Sequence, residues 1–246
     1  MVSVCIATYN GEKYIKDEIN SILPQLDNND EIVISDDGSS DNTIPILLSY
    51  HDNRIRILNH KKQKTKYKFD YTTHNFENAL INAKGEYIFL ADQDDVWFPD
   101  KVKTCLASLQ DSDIVVSDCC VVDKDLVTIQ KSRFETFKPN SGFIKNIISA
   151  GNPGCCVAFK KTVLNTVLPF PKYGVAHDFW IVVFGGMYHT VSYIRQPLIM
   201  FRRHDNNVSA SMGVSNDSIA YKIKYRLEAF KAVIKRAGII RVLKHL

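Results

Sequence analysis

The chain lacks the features that define several common protein classes. No apolar run approaches the roughly 20 residues that a bilayer-spanning helix needs. Met1 leads directly into a strand-like segment, without the basic start of a secretory signal. The six cysteines form no C-x-x-C pair, which excludes a zinc ribbon and argues against a disulfide framework. We therefore expect a cytoplasmic protein whose cysteines are reduced and buried.

Two common nucleotide-binding motifs are also missing, although their structural context is present. Residues 2–6 predict a buried strand, which is followed by Thr8, Tyr9, Asn10 and Gly11. A dinucleotide-binding turn has three glycines here and a Walker A loop has a Gly-Lys pair, whereas this chain has a single glycine. The sequence therefore excludes both of these phosphate-binding loops.

The net charge of the chain is small, and the charged residues are unevenly distributed. Residues 217–246 contain eight Lys/Arg and two Asp/Glu, so their charge of +6 within a total of +4 leaves −2 for residues 1–216. A second basic run, residues 54–68, has seven Lys/Arg and no acid. A total of +4 is too small to indicate nucleic-acid binding, and we expect no nucleic-acid partner.

The pattern of apolar residues predicts an α/β fold. Strands are predicted at 2–6, 31–34, 54–58, 87–90 and 114–116, and helices at 12–26, from 41, at 75–83 and at 99–109. This alternation predicts a mostly parallel, mixed central sheet flanked by helices. We expect residues 1–216 to form a single Rossmann-like domain with halves 1–118 and 119–216, followed by a helical tail at 217–246.

Acidic residues follow two of the predicted strands, at the end where open parallel sheets bind ligands. Asp36 and Asp37 could accept hydrogen bonds from a base or a ribose, but the same residues also fit a turn that caps a helix. Asp92, Asp94 and Asp95 repel one another unless a cation or sugar hydroxyls bind them. Such oxygen ligands suit Mg²⁺ or Mn²⁺.

Three motifs in this order and spacing resemble those of the inverting glycosyltransferase family 2, which has the GT-A fold. They are Thr8-Tyr9-Asn10-Gly11, Asp36-Asp37-Gly38-Ser39 and Ala91-Asp92-Gln93-Asp94-Asp95. Residues 92–101 are similar to the variant of bacterial rhamnosyltransferase-type members, and the resemblance covers residues 2–210. It implies transfer of a sugar from a UDP-hexose or dTDP-rhamnose to a hydroxyl of a glycan or lipid-linked saccharide in bacterial surface polysaccharide synthesis.

The resemblance also implies roles for individual residues. Asp178 would be the catalytic base, although His177 replaces the first acid of the family's acidic pair and Asp178 also fits a helix start. Asp94 and His204 would hold a divalent metal, Mg²⁺ or Mn²⁺. The nucleotide sugar would contact Thr8, Tyr9, Asn10, Asp36, Asp37, Asn75, Asp92, Gln93 and Arg203. The acceptor side would contain Trp97, Gly154, His177 and Trp180.

Two other functions use similar residues. A sugar-nucleotide nucleotidyltransferase shares a related sheet, but it opens with a Gly-rich loop and a basic residue that residues 8–11 lack. A non-catalytic nucleotide-sugar-binding protein would need the carboxylates of the metal site but no base at Asp178. Both remain alternatives to sugar transfer at this point.

The two basic segments predict contacts of their own. Apolar residues recur every three or four positions in the tail, which predicts an amphipathic helix over 218–246: Ile219, Ile223, Leu227, Phe230, Ile234 and Ala237. Such a basic helix either lies on an anionic membrane, at the inner face of the plasma membrane, or packs on the domain. Residues 61–68 either fold over the diphosphate, contact lipid headgroups or form a solvated loop.

Overall fold

Nine strands form one mixed sheet in the part of the chain that the structure, a computed structural model, describes: residues 1–62, 64–136, 153–205, 207 and 218–243. The strands are β1 (Val2–Thr8), β2 (Glu31–Asp36), β3 (Ile55–Asn59), β4 (Tyr87–Asp92), β5 (Val96–Trp97), β6 (Ile114–Val122), β7 (Thr128–Gln130), β8 (Val157–Lys160) and β9 (Val191–Arg202). The predicted boundary between residues 216 and 217, and residues 244–246 of the predicted tail, lie outside these ranges.

The relative direction of the strands changes at the centre of the sheet. Its order is β3-β2-β1-β4-β8-β6-β9-β5, with β7 paired to β6. The four strands from β3 to β4 are parallel, whereas β8 runs antiparallel to both β4 and β6. The β6–β9 pair is again parallel. The predicted α/β architecture is confirmed, and its βαβ units form the first half of the chain.

Seven helices flank the sheet in the described residues. They are α1 (Ile15–Ile22), α2 (Thr43–Leu48), α3 (Lys68–Asn82), α4 (Lys101–Ser108), α5 (Leu164–Val167), α6 (His177–Phe179) and α7 (Ile219–Leu243). The predicted helix at 12–26 is shorter because Pro24 cannot donate a backbone bond, and a 3₁₀ turn, Leu23–Gln25, follows α1. Conversely, α3 begins well before residue 75, because Asp70 accepts a hydrogen bond from the Tyr67 N–H (3.1 Å).

The core lies on both faces of this sheet. Every residue of β2 and of β6 is buried, and α1 and α3 cover the sheet with apolar side chains that include Ile19 and Phe76. All six cysteines are buried and unbridged, as the sequence predicts. Within the described ranges, no helix has both the length and the apolar character needed to cross a membrane.

The register of the sheet brings the ends of three strands together. Thr8 at the end of β1 is paired with Asp36 at the end of β2, and Ala7 is paired with Asp92 at the end of β4. Because parallel strands end at one edge, the polar residues that follow β1, β2 and β4 lie side by side. This edge carries most of the residues that the sequence singles out.

Helix α7 packs on the domain through tyrosines rather than through the predicted apolar row. Tyr221 and Tyr225 lie with their ring centroids 5.4 Å and 6.5 Å from that of Tyr67. On the same side, Arg236 donates a hydrogen bond to the carbonyl of Pro169. The alternative in which this helix packs on the domain agrees with the structure, but the row of Ile223, Leu227, Phe230 and Ile234 is exposed and does not make the contact.

Candidate active site

The turn after β2 is held by the Asp36 carboxylate. It accepts hydrogen bonds from the Thr8 hydroxyl (2.9 Å), from the Gly38 N–H (2.9 Å) and from the Ser39 N–H (2.8 Å) and hydroxyl (2.6 Å). Gly38 has φ +79°, a left-handed conformation that glycine adopts without strain. Asp36 is 4% exposed, so its oxygens are used within the protein. Its side chain, like that of Thr8, therefore forms the turn that the sequence left as an alternative.

The loop after β1 is tied to its neighbours by side-chain amides. The Gln93 Oε1 accepts from the Tyr9 N–H (2.9 Å), and the Gln93 Nε2 donates to the Tyr9 carbonyl (3.2 Å). The Asn10 Oδ1 accepts from the Ser40 N–H (2.8 Å). A Cβ at Gly11 would lie 2.6 Å from the Gln93 Oε1, which explains the glycine. Asn10 and Gln93, both predicted to bind the nucleotide sugar, join three loops to one another.

Tyr9 presents the open surface of this edge, whereas Asp37 is buried. Tyr9 is 46% exposed, and the Lys62 ammonium lies 3.7 Å from the centre of its ring. The Asp37 carboxylate accepts a hydrogen bond from Nδ1 of His60 (2.5 Å), the residue that follows β3. The Asn75 Nδ2 donates to the Thr8 carbonyl (3.1 Å) beneath this surface. A base can stack on an aromatic ring, and a carboxylate can accept a hydrogen bond from one of the N–H groups of the base.

Asp94 and His204 lie together, as their predicted role as metal ligands requires. Nε2 of His204 and Oδ2 of Asp94 are 2.8 Å apart, and the Asn207 Nδ2 donates to the same oxygen (3.1 Å). The His204 ring stacks on Tyr14, with centroids 4.7 Å apart. Residues far apart in sequence thus converge on one partly exposed oxygen.

Further carboxylates lie directly below this pair. Burial, with Asp94 and Asp178 nearby, raises the pKa of Asp92 to about 8. Burial and the charges of Asp94 and Asp92 raise the pKa of Asp95 well above its usual range. Oδ2 of Asp95 and both carboxylate oxygens of Glu18 are buried without a hydrogen-bond partner in the described part of the chain. Negative charge is therefore in excess at the end of β4.

Two buried cations, which sequence reasoning missed, partly balance this excess. Lys101 is fully buried, where its ammonium donates to the Cys155 carbonyl (2.5 Å) and lies 3.9 Å from the centre of the Trp97 ring. The Arg202 guanidinium pairs with Asp17 (2.8 Å), and its backbone N–H donates to Asp95 (2.9 Å). The available signal was position: Lys101 begins the helix that follows the acidic run, and Arg202 ends a strand.

The donor set at this edge suits a divalent metal. Asp94 and His204 offer one oxygen and one nitrogen directed at each other, and Asp92, Asp95 and Cys155 place ligand atoms within 4.8 Å of one another. A divalent cation would relieve the repulsion that raises the pKa of Asp92. Carboxylate oxygens with an imidazole are ligands that Mn²⁺ accepts and Mg²⁺ tolerates.

Asp178 lies at the start of α6, near Asp92. Its Oδ1 accepts a hydrogen bond from the Phe179 N–H (2.7 Å), and its charge contributes to the raised pKa of Asp92. His177 precedes it, and burial lowers the pKa of that imidazole. A Cβ at Gly154 would lie 2.5 Å from Nε2 of His177, so these two residues, both predicted for the acceptor side, are in contact. The structure thus places Asp178 beside the acidic edge.

The two tryptophans predicted for the acceptor side are core residues. Trp180 is fully buried, where its indole N–H donates to the Val167 carbonyl (2.8 Å) and its ring stacks on Phe184. Trp97 is 3% exposed. Neither ring has a surface that an acceptor can contact, so this assignment is wrong. Arg203 donates its backbone N–H to Val122 (2.8 Å), and its predicted contact with the nucleotide sugar stays a prediction.

Relatives of the chain share this sequence pattern. The family model for glycosyl transferase family 2 matches residues 3–168. The dTDP-rhamnosyl transferase RfbG of Shigella flexneri is 29% identical over 263 residues, covering 96% of this chain and 79% of the relative. The UDP-Glc:alpha-D-GlcNAc-diphosphoundecaprenol beta-1,3-glucosyltransferase WfgD of Escherichia coli is 29% identical, covering 67% of this chain and 62% of that protein.

Solved structures share the fold. S. aureus TarS 1–349 in complex with UDP-GlcNAc matches with a TM-score of 0.65 and 21% identity, covering 87% of this chain and 62% of that chain. The mannosyltransferase PcManGT from Pyrobaculum calidifontis, in complex with GDP-Man and Mn²⁺, matches with a TM-score of 0.59 and 20% identity, covering 98% and 64%. The predicted GT-A fold is confirmed. Because the family model matches more than half of the chain, this protein belongs to glycosyl transferase family 2.

Proposed function

We propose that this glycosyltransferase moves a sugar, with inversion, from a UDP-hexose or dTDP-rhamnose to a hydroxyl of a glycan or lipid-linked saccharide. The reaction would take place in the cytoplasm during synthesis of a bacterial surface polysaccharide. A curated relative is named as a dTDP-rhamnosyl transferase and another as a UDP-glucose-dependent glucosyltransferase. These names support a donor with a thymine or uracil base.

The observation that carries the proposal is that Asp178 and the Asp94–His204 pair both lie near Asp92. After burial, the charges of Asp94 and Asp178 are the next contributions to the raised pKa of Asp92, and Asp94 contacts His204. A carboxylate that could act as a base is therefore close to the residues that would hold the metal and the diphosphate. A single in-line displacement needs such a base within reach of the donor sugar.

The proposed step begins at the acceptor hydroxyl. Asp178 takes its proton as general base, while the hydroxyl oxygen attacks the anomeric carbon of the donor sugar. The bond between that carbon and the diphosphate oxygen breaks, and its electron pair leaves with the nucleoside diphosphate. Attack on the face opposite the leaving group inverts the anomeric centre. A divalent metal held by Asp94 and His204 would neutralise charge on the departing diphosphate.

The nucleoside would bind at the exposed Tyr9 ring, with the largely buried Asp37 carboxylate as a further contact. Tyr9 offers an exposed ring face for the base, and the Asp37 carboxylate can accept the N3–H that uracil and thymine share. His60 fixes the orientation of Asp37 through its 2.5 Å hydrogen bond. Asp36, Asn10 and Gln93 would act indirectly, by holding the loops in place.

The proposal is tested by release of nucleoside diphosphate and formation of product. UDP-hexoses and dTDP-rhamnose would be supplied with Mg²⁺ or Mn²⁺, and soluble and lipid-linked saccharides offered as acceptors. We expect Asp178→Asn to lower the rate of transfer by about 10²–10⁴-fold while donor binding persists. The matched control is Asp111→Asn, at an exposed surface position.

Three results would contradict the proposal. Transfer at the wild-type rate by Asp178→Asn would remove that residue as the base. Binding of every donor without turnover, under all acceptor conditions, would favour a nucleotide-sugar-binding protein. Formation of a nucleoside triphosphate and a sugar 1-phosphate when pyrophosphate is added to the donor would favour a nucleotidyltransferase.

A further inference from the structure

Helix α7 has one side that is committed to the domain. Ala229 is 7% exposed and Val233 is 4% exposed, and the Tyr221 and Tyr225 rings lie against Tyr67. Glu228, the acidic residue of α7, is also on this side, where a Cβ at Gly174 would lie 2.8 Å from its own Cβ. The side of α7 that faces the domain thus packs closely through tyrosine rings and small apolar side chains.

The opposite side of α7 carries a second apolar surface. The exposed fractions are 52% for Ile223, 53% for Leu227, 49% for Phe230 and 58% for Ile234. At 3.6 residues per turn, these four positions fall within an arc of about 60° and form one continuous stripe along the helix. We call these four residues the exposed stripe. A stripe of large apolar side chains on an otherwise soluble surface indicates an interaction site.

Cations border the exposed stripe on both sides. Lys224, Lys231 and Lys235 are exposed along one border, and Arg226, which lies over the Tyr225 ring, is on the other. In helical projection these positions flank the stripe rather than face the domain. Four cations of α7 are therefore displayed next to its exposed apolar side chains.

We propose that the exposed stripe docks on the surface of an anionic lipid bilayer, with α7 lying parallel to the membrane. Ile223, Leu227, Phe230 and Ile234 would enter the boundary between headgroups and acyl chains, and the bordering cations would contact lipid phosphates. The charge pattern favours this occupant over a second copy of the chain. Two such helices would bring like-charged borders together, whereas an anionic surface neutralises them.

The position of α7 relates this surface to the active site. Tyr67, which contacts α7, directly follows the basic residues 61–66, and Gly174, which contacts Glu228, lies four residues before Asp178. A membrane-bound α7 would hold the catalytic edge close to the bilayer. Only this consequence, access to a lipid-linked acceptor, rests on the proposed function; the docking itself does not.

The test is co-sedimentation of the full chain with vesicles. Vesicles of phosphatidylcholine alone are compared with vesicles of phosphatidylcholine and phosphatidylglycerol. We expect binding to the anionic vesicles only, weakened at high salt. Replacing the exposed stripe with glutamine, at Ile223, Leu227, Phe230 and Ile234, should lower the vesicle partition coefficient by about tenfold or more.

Two matched controls separate the stripe from general effects. Val127→Gln with Ile129→Gln removes exposed apolar side chains elsewhere and should leave vesicle binding unchanged. Lys224→Gln, Lys231→Gln and Lys235→Gln should weaken binding, whereas the same charge change at the exposed Lys103, Lys131 and Lys161 should weaken it much less. Far-ultraviolet circular dichroism of each variant confirms that it is folded.

Unchanged binding in the stripe variant, or equal effects of the two lysine sets, would overturn the proposal. A second result would also overturn it: the wild type forms a stable dimer and does not bind vesicles, and the stripe substitutions dissociate the dimer. The exposed stripe would then be the contact surface with a second copy of the chain. Vesicle binding needs no sugar donor. A chain that binds vesicles but transfers no sugar would contradict the proposed function alone.

Discussion

The carboxylates at the two ends of the catalytic edge are in opposite states. After β2, Asp36 accepts four hydrogen bonds and Asp37 is paired with His60. After β4, the pKa of Asp92 is raised to about 8, and Asp95 keeps an oxygen without a hydrogen-bond partner among the described residues. Acidic residues at two nearby strand ends thus stabilise the protein at one end and destabilise it at the other.

This difference shows where ligand binding supplies free energy. A carboxylate that already accepts several N–H and O–H groups gains little from a ligand, so it fixes the shape of a loop. A buried carboxylate that lacks partners gains much from a cation. The Asp36 end is therefore a preformed frame, and the Asp94 end is the place at which a metal and a diphosphate would bind.

The largest expected effect is at the unsatisfied end. Asp94→Ala should lower the rate of transfer by about 10³-fold, because it removes the oxygen that His204 and Asn207 surround. Thermal stability without metal should not fall, since one source of repulsion is removed. Addition of Mn²⁺ should raise the melting temperature of the wild type but not that of the variant.

The control for this prediction is Asp125→Ala, at a carboxylate exposed in the turn before β7. It should retain wild-type transfer and the wild-type response to Mn²⁺. An Asp94→Ala protein that still transfers sugar in a metal-dependent way would show that the cation binds elsewhere, for example at Asp92, Asp95 and Cys155.

At the satisfied end, substitution should reduce stability instead. Asp36→Ala leaves the Thr8 hydroxyl and the Gly38 and Ser39 N–H groups without their acceptor, which should cost about 2–4 kcal/mol of unfolding free energy. Urea denaturation measures this loss. Asp37→Ala is the paired variant and should cost about 1 kcal/mol, because it removes one side-chain hydrogen bond, to His60. Equal losses would contradict the distinction between the two residues.

At Glu18, substitution should increase the free energy of unfolding instead of lowering it. Burial raises its pKa well above 4.5, so the folded protein keeps a proton that the unfolded chain releases as pH rises through about 4.5. Stability from this group is therefore lost with increasing pH. Glu18→Gln should add about 1–3 kcal/mol at pH 7, and the gain should vanish below about pH 4.5. Urea denaturation at both pH values tests this; a gain independent of pH would contradict it.

The sequence predicts the edge well because periodicity and strand ends determine it. Residues 2–6 and 31–34 form buried parallel strands, so Thr8 and Asp36 necessarily end side by side. Asp94 meets His204, and Asp178 lies near Asp92; the roles that the family resemblance implies for these residues stay predictions. No local pattern contains these pairings, since each joins residues that are far apart in the sequence.

The sequence could not predict which partner each polar side chain contacts, or whether it faces the site or the core. Asp36 and Asp37 are adjacent, but only their hydrogen-bond partners show that Asp36 holds the turn and that Asp37 is paired with His60. Trp97 and Trp180 sit next to functional residues yet point into the core. Helix α7 shows the same problem, because periodicity identifies an apolar stripe but not that tyrosines would occupy the domain-facing side.

The smallest expected effect concerns Lys62, at the border of the two ends. Its ammonium covers the Tyr9 ring at 3.7 Å and also lies 4.8 Å from the centre of the Tyr71 ring. A cation at this distance contributes about 0.5–1 kcal/mol, so a base that stacks on Tyr9 must displace it. Lys62→Ala should therefore strengthen uridine binding by about two- to fivefold.

The same variant should weaken UDP binding. In the wild type the ammonium displaced from the Tyr9 ring can pair with the diphosphate, and the variant lacks this ammonium. Titration calorimetry with both ligands separates the two contributions: weaker binding of both would mean that Lys62 never competes for the ring, and the nucleoside end would then be as preformed as the turn at Asp36.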